Sequence, residues 1–100
     1  MSSLGRKSSK RSKPDLYAAV LEVISHYPEG ARITKLSYGV GVPVDRLKLL
    51  VEKLCRLGLA RKASDDEGIR YGVTPRGLEF LDTFWKMKGF LQELGESVGG

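Results

Sequence analysis

The sequence contains little of what catalysis or metal binding requires. It has one cysteine, Cys55, which cannot form a disulfide within the chain, and one histidine, His26, which we interpret as structural. There is no CxxC or HxxxH pair and no glycine-rich phosphate loop, so neither a metal site nor a nucleophile with its base is evident. We therefore predict no enzymatic activity, no metal, no cofactor and no small-molecule substrate. Cys55 is interpreted as a packing residue, with redox sensing as the alternative.

Long apolar segments are also missing. The longest runs, such as YAAVL at residues 17–21, are far too short to span a bilayer. The N-terminal residues lack the apolar region of a secretory signal, and together with the single cysteine this predicts an intracellular protein. A chain of 100 residues, of which 41% are hydrophobic, is expected to form one domain with a modest core, which dimerisation would help to stabilise.

Positive charge, by contrast, is abundant and unevenly placed. The net charge is +5, and residues 1–13 account for all of it, because they carry five basic residues and no acid. This segment is rich in serine and nearly free of large apolar groups, which predicts a disordered basic arm. Residues 32–62 hold eight further basic residues against two acids. Both features favour a polyanionic partner, since cations that neutralise phosphates release counterions.

Hydrophobic periodicity predicts two helices directly after the arm. The first begins at Pro14 and ends at Pro28, since proline suits a first helical position and interrupts a helix that is already formed. The second is shorter and covers residues 32–38, with Gly39 and Gly41 in the turn that follows it. The inward stripe of the first helix consists of Leu16, Ala19, Val20, Val23, Ile24 and Tyr27.

A third helix is predicted from Pro43 to Leu57, and Gly58 suits the left-handed position just after its end. Its opposite surface is strongly charged. Such a surface is typical either of a solvated helix or of a helix that contacts a polyanion, and this stretch alone leaves both interpretations open. The apolar stripe consists of Leu47, Leu50, Val51 and Leu54, with Leu57 at its edge.

A hairpin and a last helix follow. Residues 59–63 and 69–73 are predicted strands, joined by the acidic segment at residues 64–68. Thr74 is the expected N-cap of the last helix and Pro75 its first residue. We expect Leu78, Leu81 and Trp85 to pack on the domain. A second apolar row has heptad spacing and predicts a homodimer interface, the alternative being a helix that lies wholly on its own core. This row consists of Phe80, Phe84, Met87, Leu91, Leu94 and Val98.

This order of elements resembles a winged helix-turn-helix domain, and more closely the small archaeal winged-helix DNA-binding proteins. Among these is a chromatin-associated type that dimerises through a C-terminal coiled coil. The matching motifs are ITKLSYGVGVP at residues 33–43, the helix exit Leu54-x-x-x-Gly58-Leu59, and Tyr71 to Leu81 leading into the last helix. The predicted fold is mainly α with a small two-stranded β wing and a long C-terminal helix. Its parts are a basic arm at 1–13, a winged helix-turn-helix domain at 14–74 and a dimerisation helix at 75–98.

The resemblance implies a symmetric dimer that binds double-stranded DNA in transcription regulation or chromatin organisation, and so a cytoplasmic, nucleoid-associated protein. On this hypothesis the helix at about 43–57 enters the major groove. The residues nearest the base edges would be Asp45, Arg46, Lys48 and Leu49. Those that neutralise phosphates would be Arg32, Lys35, Lys53, Arg56, Arg61 and Lys62.

One feature departs from this pattern. The wing tip carries three acids, Asp65, Asp66 and Glu67, where many DNA-binding wings carry arginine or lysine. Because like charges at a phosphate surface oppose binding, either the wing stays off the DNA or the partner is not DNA. The alternative function is a protein-interaction module within transcription or replication machinery. The acidic wing and the exposed Leu49 favour that alternative, whereas the basic arm and the local excess of cations favour DNA.

Overall fold

The computed structural model describes residues 12–95, which form four helices and one two-stranded antiparallel sheet. This order confirms the predicted fold class. Most of the predicted arm, together with Val98, lies outside the described residues. None of the described helices is both long enough and apolar enough to cross a membrane. The elements are α1 (Lys13–Ser25), α2 (Ile33–Val40), α3 (Val44–Arg56), β1 (Ala60–Asp65), β2 (Gly68–Val73) and α4 (Pro75–Glu93).

Helix α1 begins slightly earlier than predicted and buries a different stripe. The Ser12 side chain caps it by accepting a hydrogen bond from the Asp15 backbone N–H at 3.2 Å, so Ser12 and Lys13 belong to the helix rather than to the arm. The fully buried residues are Ala18, Val20, Leu21 and Ile24, whereas Leu16, Ala19, Val23 and Tyr27 are only partly buried. The reason is that α1 packs against α2 and β2 and also against α4, which rotates its buried surface.

The turn between α2 and α3 is one residue tighter than predicted. Gly39 lies inside α2, where a Cβ atom would approach Val23 Cγ1 to 2.8 Å, so glycine allows α1 and α2 to pack closely. Gly41 ends the helix with φ +76°, and the Ser37 hydroxyl donates to the Val42 carbonyl at 2.6 Å. Pro43 is the N-cap of α3 rather than its first residue. These contacts set the path of the chain into α3.

Helix α3 lies on the centre of the core. Its residues Leu47, Val51 and Leu54 are completely buried, as predicted, and Leu50 is partly buried at the edge. The helix ends where Gly58 adopts φ +78°, which confirms the left-handed position expected there. The largest fully buried side chains of the core are Leu21, Ile24, Leu36, Leu47, Leu54, Val20 and Val51.

The hairpin is longer than predicted and is attached to the helical core. Its register runs from the pair Ala60–Val73 to the pair Asp65–Gly68, so only residues 66 and 67 form the turn. Ala31 and Tyr71 exchange two backbone hydrogen bonds of 2.9 and 2.8 Å. This bridge joins the α1–α2 connection to β2 and so fixes the hairpin relative to α2.

Helix α4 begins as predicted but presents a different face to the domain. The Thr74 hydroxyl oxygen accepts from the Gly77 N–H at 3.0 Å and donates to the Gly58 carbonyl at 2.6 Å. Gly77, Leu81 and Phe84 form the buried stripe. The predicted inward position of Leu78 is therefore wrong, since it lies one residue to the side and is half exposed. Trp85 is also half exposed, but its indole N–H donates to Glu22 Oε1 of α1 at 3.1 Å, so it lies against the edge of the domain.

The predicted heptad row on α4 is divided into two parts. Phe84 is only 6% exposed because it packs into the core of its own domain, and Phe80 is partly buried against that core. The division falls where α4 passes the start of α1, at the ion pair between Lys88 Nζ and Asp15 Oδ1 of 3.2 Å. From this level to the end of α4 the apolar residues are Met87, Phe90, Leu91 and Leu94, with Leu91 partly buried and the others exposed.

Candidate nucleic-acid interface

The outer surface of α3 combines basic side chains with one exposed leucine. The fold brings this surface together because the stripe of Leu47, Val51 and Leu54 is turned into the core. Leu49 lies on the opposite side and is 74% exposed, as predicted. Six predicted DNA-contact residues are exposed on this helix: Asp45, Arg46, Lys48, Leu49, Lys53 and Arg56.

The dipole of α3 explains part of this charge pattern. Asp45 lies in the first turn, and Lys53 and Arg56 lie in the last turn. An acid at the N-terminus and cations at the C-terminus of a helix each stabilise it by about 0.3–1 kcal/mol. Arg46 and Lys48 do not have that role, since they lie near the N-terminal end of the helix, where the dipole does not favour a cation. The dipole therefore leaves these two cations unexplained.

One side of α3 forms a cleft with the beginning of α1. Arg46, Leu49 and Lys53 follow one another along this side at helical spacing, and Lys13 and Tyr17 of α1 lie opposite them. The cleft has a volume of about 430 Å³ and is open to solvent. Lys13, the last residue of the predicted basic arm, therefore lies beside α3. The other side of α3 faces the hairpin.

The acids of the wing tip are largely paired with arginines. Glu67 Oε1 accepts from Arg32 Nη2 at 3.1 Å and from Arg70 Nη2 at 3.0 Å, and Asp65 Oδ2 lies 3.9 Å from Arg70 Nε. Asp66 forms no ion pair with any described residue. Arg32, which the sequence placed among the free phosphate-binding residues, is therefore engaged within the protein. Sequence spacing could not show this, because Arg32 and Glu67 are 35 residues apart.

Lys62 is a second predicted phosphate contact that is engaged internally. Its Nζ donates to Glu52 Oε2 at 3.0 Å, which joins β1 to α3. The hydrogen bond and the charge of Glu52 raise the pKa of Lys62. Arg61 points away from this pair, and its guanidinium lies over Gly72, where a Cβ atom would be 3.1 Å from Cζ. Within residues 12–95 the basic residues of the predicted set that form no ion pair are Lys35, Arg46, Lys48, Lys53, Arg56 and Arg61.

Two exposed side chains outside α3 were missed by sequence reasoning. Tyr38 on α2 is almost fully exposed, and Ile69 on β2 is exposed near the wing tip. Tyr38 lies outside the stripe of Ile33, Leu36 and Val40, so its position on the helix was a signal that pointed to its exposure. Ile69 had no such signal, because it follows the apolar alternation of its strand and loses cover only where the hairpin extends past the helices.

Two further reactive side chains, those of Cys55 and Tyr71, have raised pKa values. Cys55 is partly buried, and burial followed by the charge of Glu52 raises the pKa of its thiol. Burial likewise raises the pKa of Tyr71, with a further contribution from Glu52. No group of three or more His, Cys, Asp or Glu residues suited to a metal ion occurs among the described residues. A raised thiol pKa fits the packing interpretation of Cys55 better than redox sensing.

The sequence model of the winged helix-turn-helix family matches residues 10–92, a span that contains nearly all of the elements described above. The chain belongs to the winged helix-turn-helix family. In this winged-helix chain α2 and α3, with the turn at Gly41, are the helix-turn-helix, and the hairpin of β1 and β2 is the wing. The family resemblance drawn from the sequence motifs is thereby confirmed. No curated protein sequence matches the chain.

Solved structures similar to this winged-helix chain include bacterial and archaeal proteins. A MarR-family transcriptional regulator from Silicibacter pomeroyi has 24% sequence identity and a TM-score of 0.68, with 87% of this chain covered. Sso10a-2, a DNA-binding protein from Sulfolobus solfataricus, has 17% identity and a TM-score of 0.68, with 85% of this chain and 90% of that chain covered. A point mutant of MepR from S. aureus, bound to an oligodeoxyribonucleotide, has 12% identity and a TM-score of 0.66, with 92% and 72% covered.

These similarities establish a shared fold. The alignment covers 59% of the Silicibacter regulator, so this chain spans little more than half of that protein. The alignment with Sso10a-2 covers 90% of that protein, so Sso10a-2 is closer to this chain in size. Most of this chain therefore superposes on each of the two neighbours, and little of Sso10a-2 lies outside the shared part.

Proposed function

We propose that this protein is a double-stranded DNA-binding regulator that places α3 in the major groove. The observation that carries the proposal is the outer surface of α3, where Arg46 and Lys48 are exposed and form no ion pair with any described residue. An α-helix fits the major groove, which is about 12 Å wide. The DNA-binding description of Sso10a-2 and the oligodeoxyribonucleotide bound to the MepR mutant support this proposal.

Different residues have different proposed roles. Arg46, Lys48, Leu49 and Asp45 lie toward the N-terminal half of α3 and would face base edges, with the Arg46 guanidinium suited to guanine and Leu49 to a thymine methyl group. The phosphate contacts would come from Lys35, Lys53, Arg56 and Arg61, which carry unpaired charge in the described part of the chain. Transcription regulation is the proposed role, with chromatin organisation as the alternative use of the same DNA binding.

We further propose that two copies associate through the end of α4. Phe90 and Leu94 are 60% and 61% exposed there, and no element of the described chain covers them. This replaces the longer predicted interface, because Phe84 is already buried in its own domain. A twofold dimer would present two α3 helices to half-sites about 34–36 Å apart.

The test compares the full chain with a form in which Arg6, Lys7, Lys10 and Arg11 are replaced by glutamine. Binding to mixed-sequence duplex DNA is measured at several salt concentrations for both. We expect the altered form to retain binding, with a slope of log K against log salt of about −4 from roughly four phosphate contacts. Loss of all binding with these four charges would contradict the proposal. It would favour the protein-interaction alternative, for which the exposed Tyr38 and Leu49 are the candidate surface.

A matched pair of single variants tests the position of the interface. Arg46→Gln and Lys86→Gln each remove one positive charge, but Arg46 lies on α3 whereas Lys86 lies on α4 and is paired with Asp82 at 3.1 Å. Loss of a guanine contact is expected to weaken binding by about 1–3 kcal/mol for Arg46→Gln, with little change for Lys86→Gln. Equal effects of the two variants would show that only net charge matters.

A further inference from the structure

Two guanidinium groups beside the wing tip converge on one oxygen atom. Arg32 and Arg70 come from different elements, yet their Nη2 atoms lie 3.1 and 3.0 Å from the same Glu67 Oε1. Two charge-assisted donors aimed at one oxygen position are suited to a phosphate as well as to a carboxylate. The site therefore has the donor arrangement of an anion site, with a side chain of the protein as its occupant.

Glu67 does not use all the hydrogen-bond donors of Arg70. Its Nε atom is buried and has no hydrogen-bond acceptor among the described residues, since Asp65 Oδ2, at 3.9 Å, is too distant. A guanidinium with a buried, unused donor gains from an acceptor with more oxygen atoms than one carboxylate oxygen offers. A phosphate group provides such acceptors.

The surroundings of the pair also suit a phosphate of the DNA backbone. Arg32 is the N-cap of α2, and its side chain accepts no hydrogen bond from the helix. The first backbone N–H groups of α2 therefore have no side-chain acceptor at the cap, and such groups are suited to bind an anion. An open cleft of about 450 Å³ borders the pair and is also lined by Lys35 and Glu29. Without Glu67, the three cations Arg32, Arg70 and Lys35 still exceed the two nearby acids, Glu29 and Asp65, by one charge.

We propose that Arg32 and Arg70 form a phosphate-binding pair, that Glu67 occupies it in the free protein, and that a DNA backbone phosphate displaces Glu67 on binding. This inference rests on the proposed DNA-binding function. The Glu67 side chain is 67% accessible, and those of its partners Arg32 and Arg70 are 48% and 29% accessible. Solvent therefore screens both ion pairs from the Glu67 side, which makes them weak enough for a phosphate to replace them. Glu67 then acts as a competitor that limits DNA affinity, which gives the acidic wing a role.

The experiment measures DNA binding of the full chain and of Glu67→Gln and Asp66→Asn variants across a range of salt concentrations. Both variants remove one negative charge from the same turn, but only Glu67 contacts the arginines. We expect Glu67→Gln to bind about three- to tenfold more tightly near 0.1 M salt, with a slope of log K steeper by about one, as for one additional phosphate contact. Asp66→Asn is expected to change affinity less than twofold and to leave the slope unchanged.

Two further variants separate the contact from its charge. Glu67→Asp keeps the net charge but shortens the side chain by one methylene, so it is expected to raise affinity in the same direction by a smaller factor. In an Arg32→Gln background, the gain from Glu67→Gln should shrink to less than half. Thermal melts of each variant establish that it is folded at the assay temperature.

The outcomes distinguish this inference from the proposed function. If the unaltered chain binds no duplex DNA, the proposed function fails and the inference fails with it. If the unaltered chain binds but Glu67→Gln and Asp66→Asn have the same effect, only the displacement of Glu67 is refuted. An unchanged gain from Glu67→Gln in the Arg32→Gln background would also refute it.

Discussion

Gly77 allows α4 to pack against the start of the wing, and its replacement by alanine should strongly destabilise the fold. A Cβ atom at Gly77 would overlap the Leu59 carbonyl oxygen and lie 2.7 Å from Val73 Cγ2. The obstruction is backbone, and it is anchored, because Leu59 donates to the Leu54 carbonyl at 2.9 Å and accepts from the Thr74 N–H at 3.2 Å. The first turn of α4 therefore has to move away from β1 to accommodate a methyl group.

The expected cost follows from what this movement disrupts. Overpacking by one methyl group typically costs about 1–3 kcal/mol. Loss of the hydrogen bonds from Thr74 to Leu59 and Gly58 adds about 1 kcal/mol each. Alanine recovers about 0.5–1 kcal/mol through its higher helix propensity. The net destabilisation is about 2–4 kcal/mol, or a fall in Tm of about 10–25 °C for a domain of this size.

The measurement is thermal unfolding followed by circular dichroism at one fixed protein concentration, since association shifts the apparent Tm. Gly89→Ala is the matched control, because Gly89 lies in the same helix and a Cβ there would have no neighbour within 4 Å. It should raise stability by about 0.5–1 kcal/mol. A Gly77→Ala protein that melts within about 3 °C of the unaltered chain would refute the packing argument.

Two further predictions concern the ends of α4 and α1. Phe90→Ser should shift the protein toward monomer in sedimentation equilibrium. Leu57→Ser, which changes another exposed apolar residue, should leave the mass unchanged. Equal masses for the two variants would contradict the proposed interface. Burial alone would raise the pKa of Asp15, but its contacts with Ser12 and Lys88 outweigh burial and lower it. The ion pair therefore stabilises the fold above the ordinary value of 3.8, and its contribution is lost as the pH falls through the lowered pKa. Asp15→Asn should lower stability by about 0.5–1 kcal/mol at pH 7, and the deficit should shrink in acid; a deficit independent of pH would contradict this.

Local signals predicted the helices and turns well. Thr74 and Gly58 were identified from their capping roles, and the structure confirms both. The apolar stripe of α3 was found from its helical spacing, because a single dominant stripe has only one way to face a core. The predicted helix boundaries next to Pro43 and Gly39 differ from the observed ones by one or two residues. At Gly39 the reason is its close contact with Val23 of another helix.

The candidate site was predicted less completely. The exposed cations of α3 follow from the same periodicity that buries its apolar stripe, so Arg46 and Lys48 were found without tertiary information. Arg32 and Lys62 were placed among free phosphate contacts, but each is paired with an acid from another element, Glu67 and Glu52 respectively. Such partners are set by how the elements pack, and local sequence contains no signal for them.

The sequence by itself determined the order and type of the elements, the basic surface of α3 and the family, because capping, periodicity and charge are properties of neighbouring residues. Only the tertiary structure decided how the apolar row of α4 is divided and which cations remain free. Phe84 is buried because α4 crosses α1 at that level, while Phe90 and Leu94 lie beyond the crossing and stay exposed. The fate of a side chain in this protein therefore depends on what the remote parts of the chain place next to it.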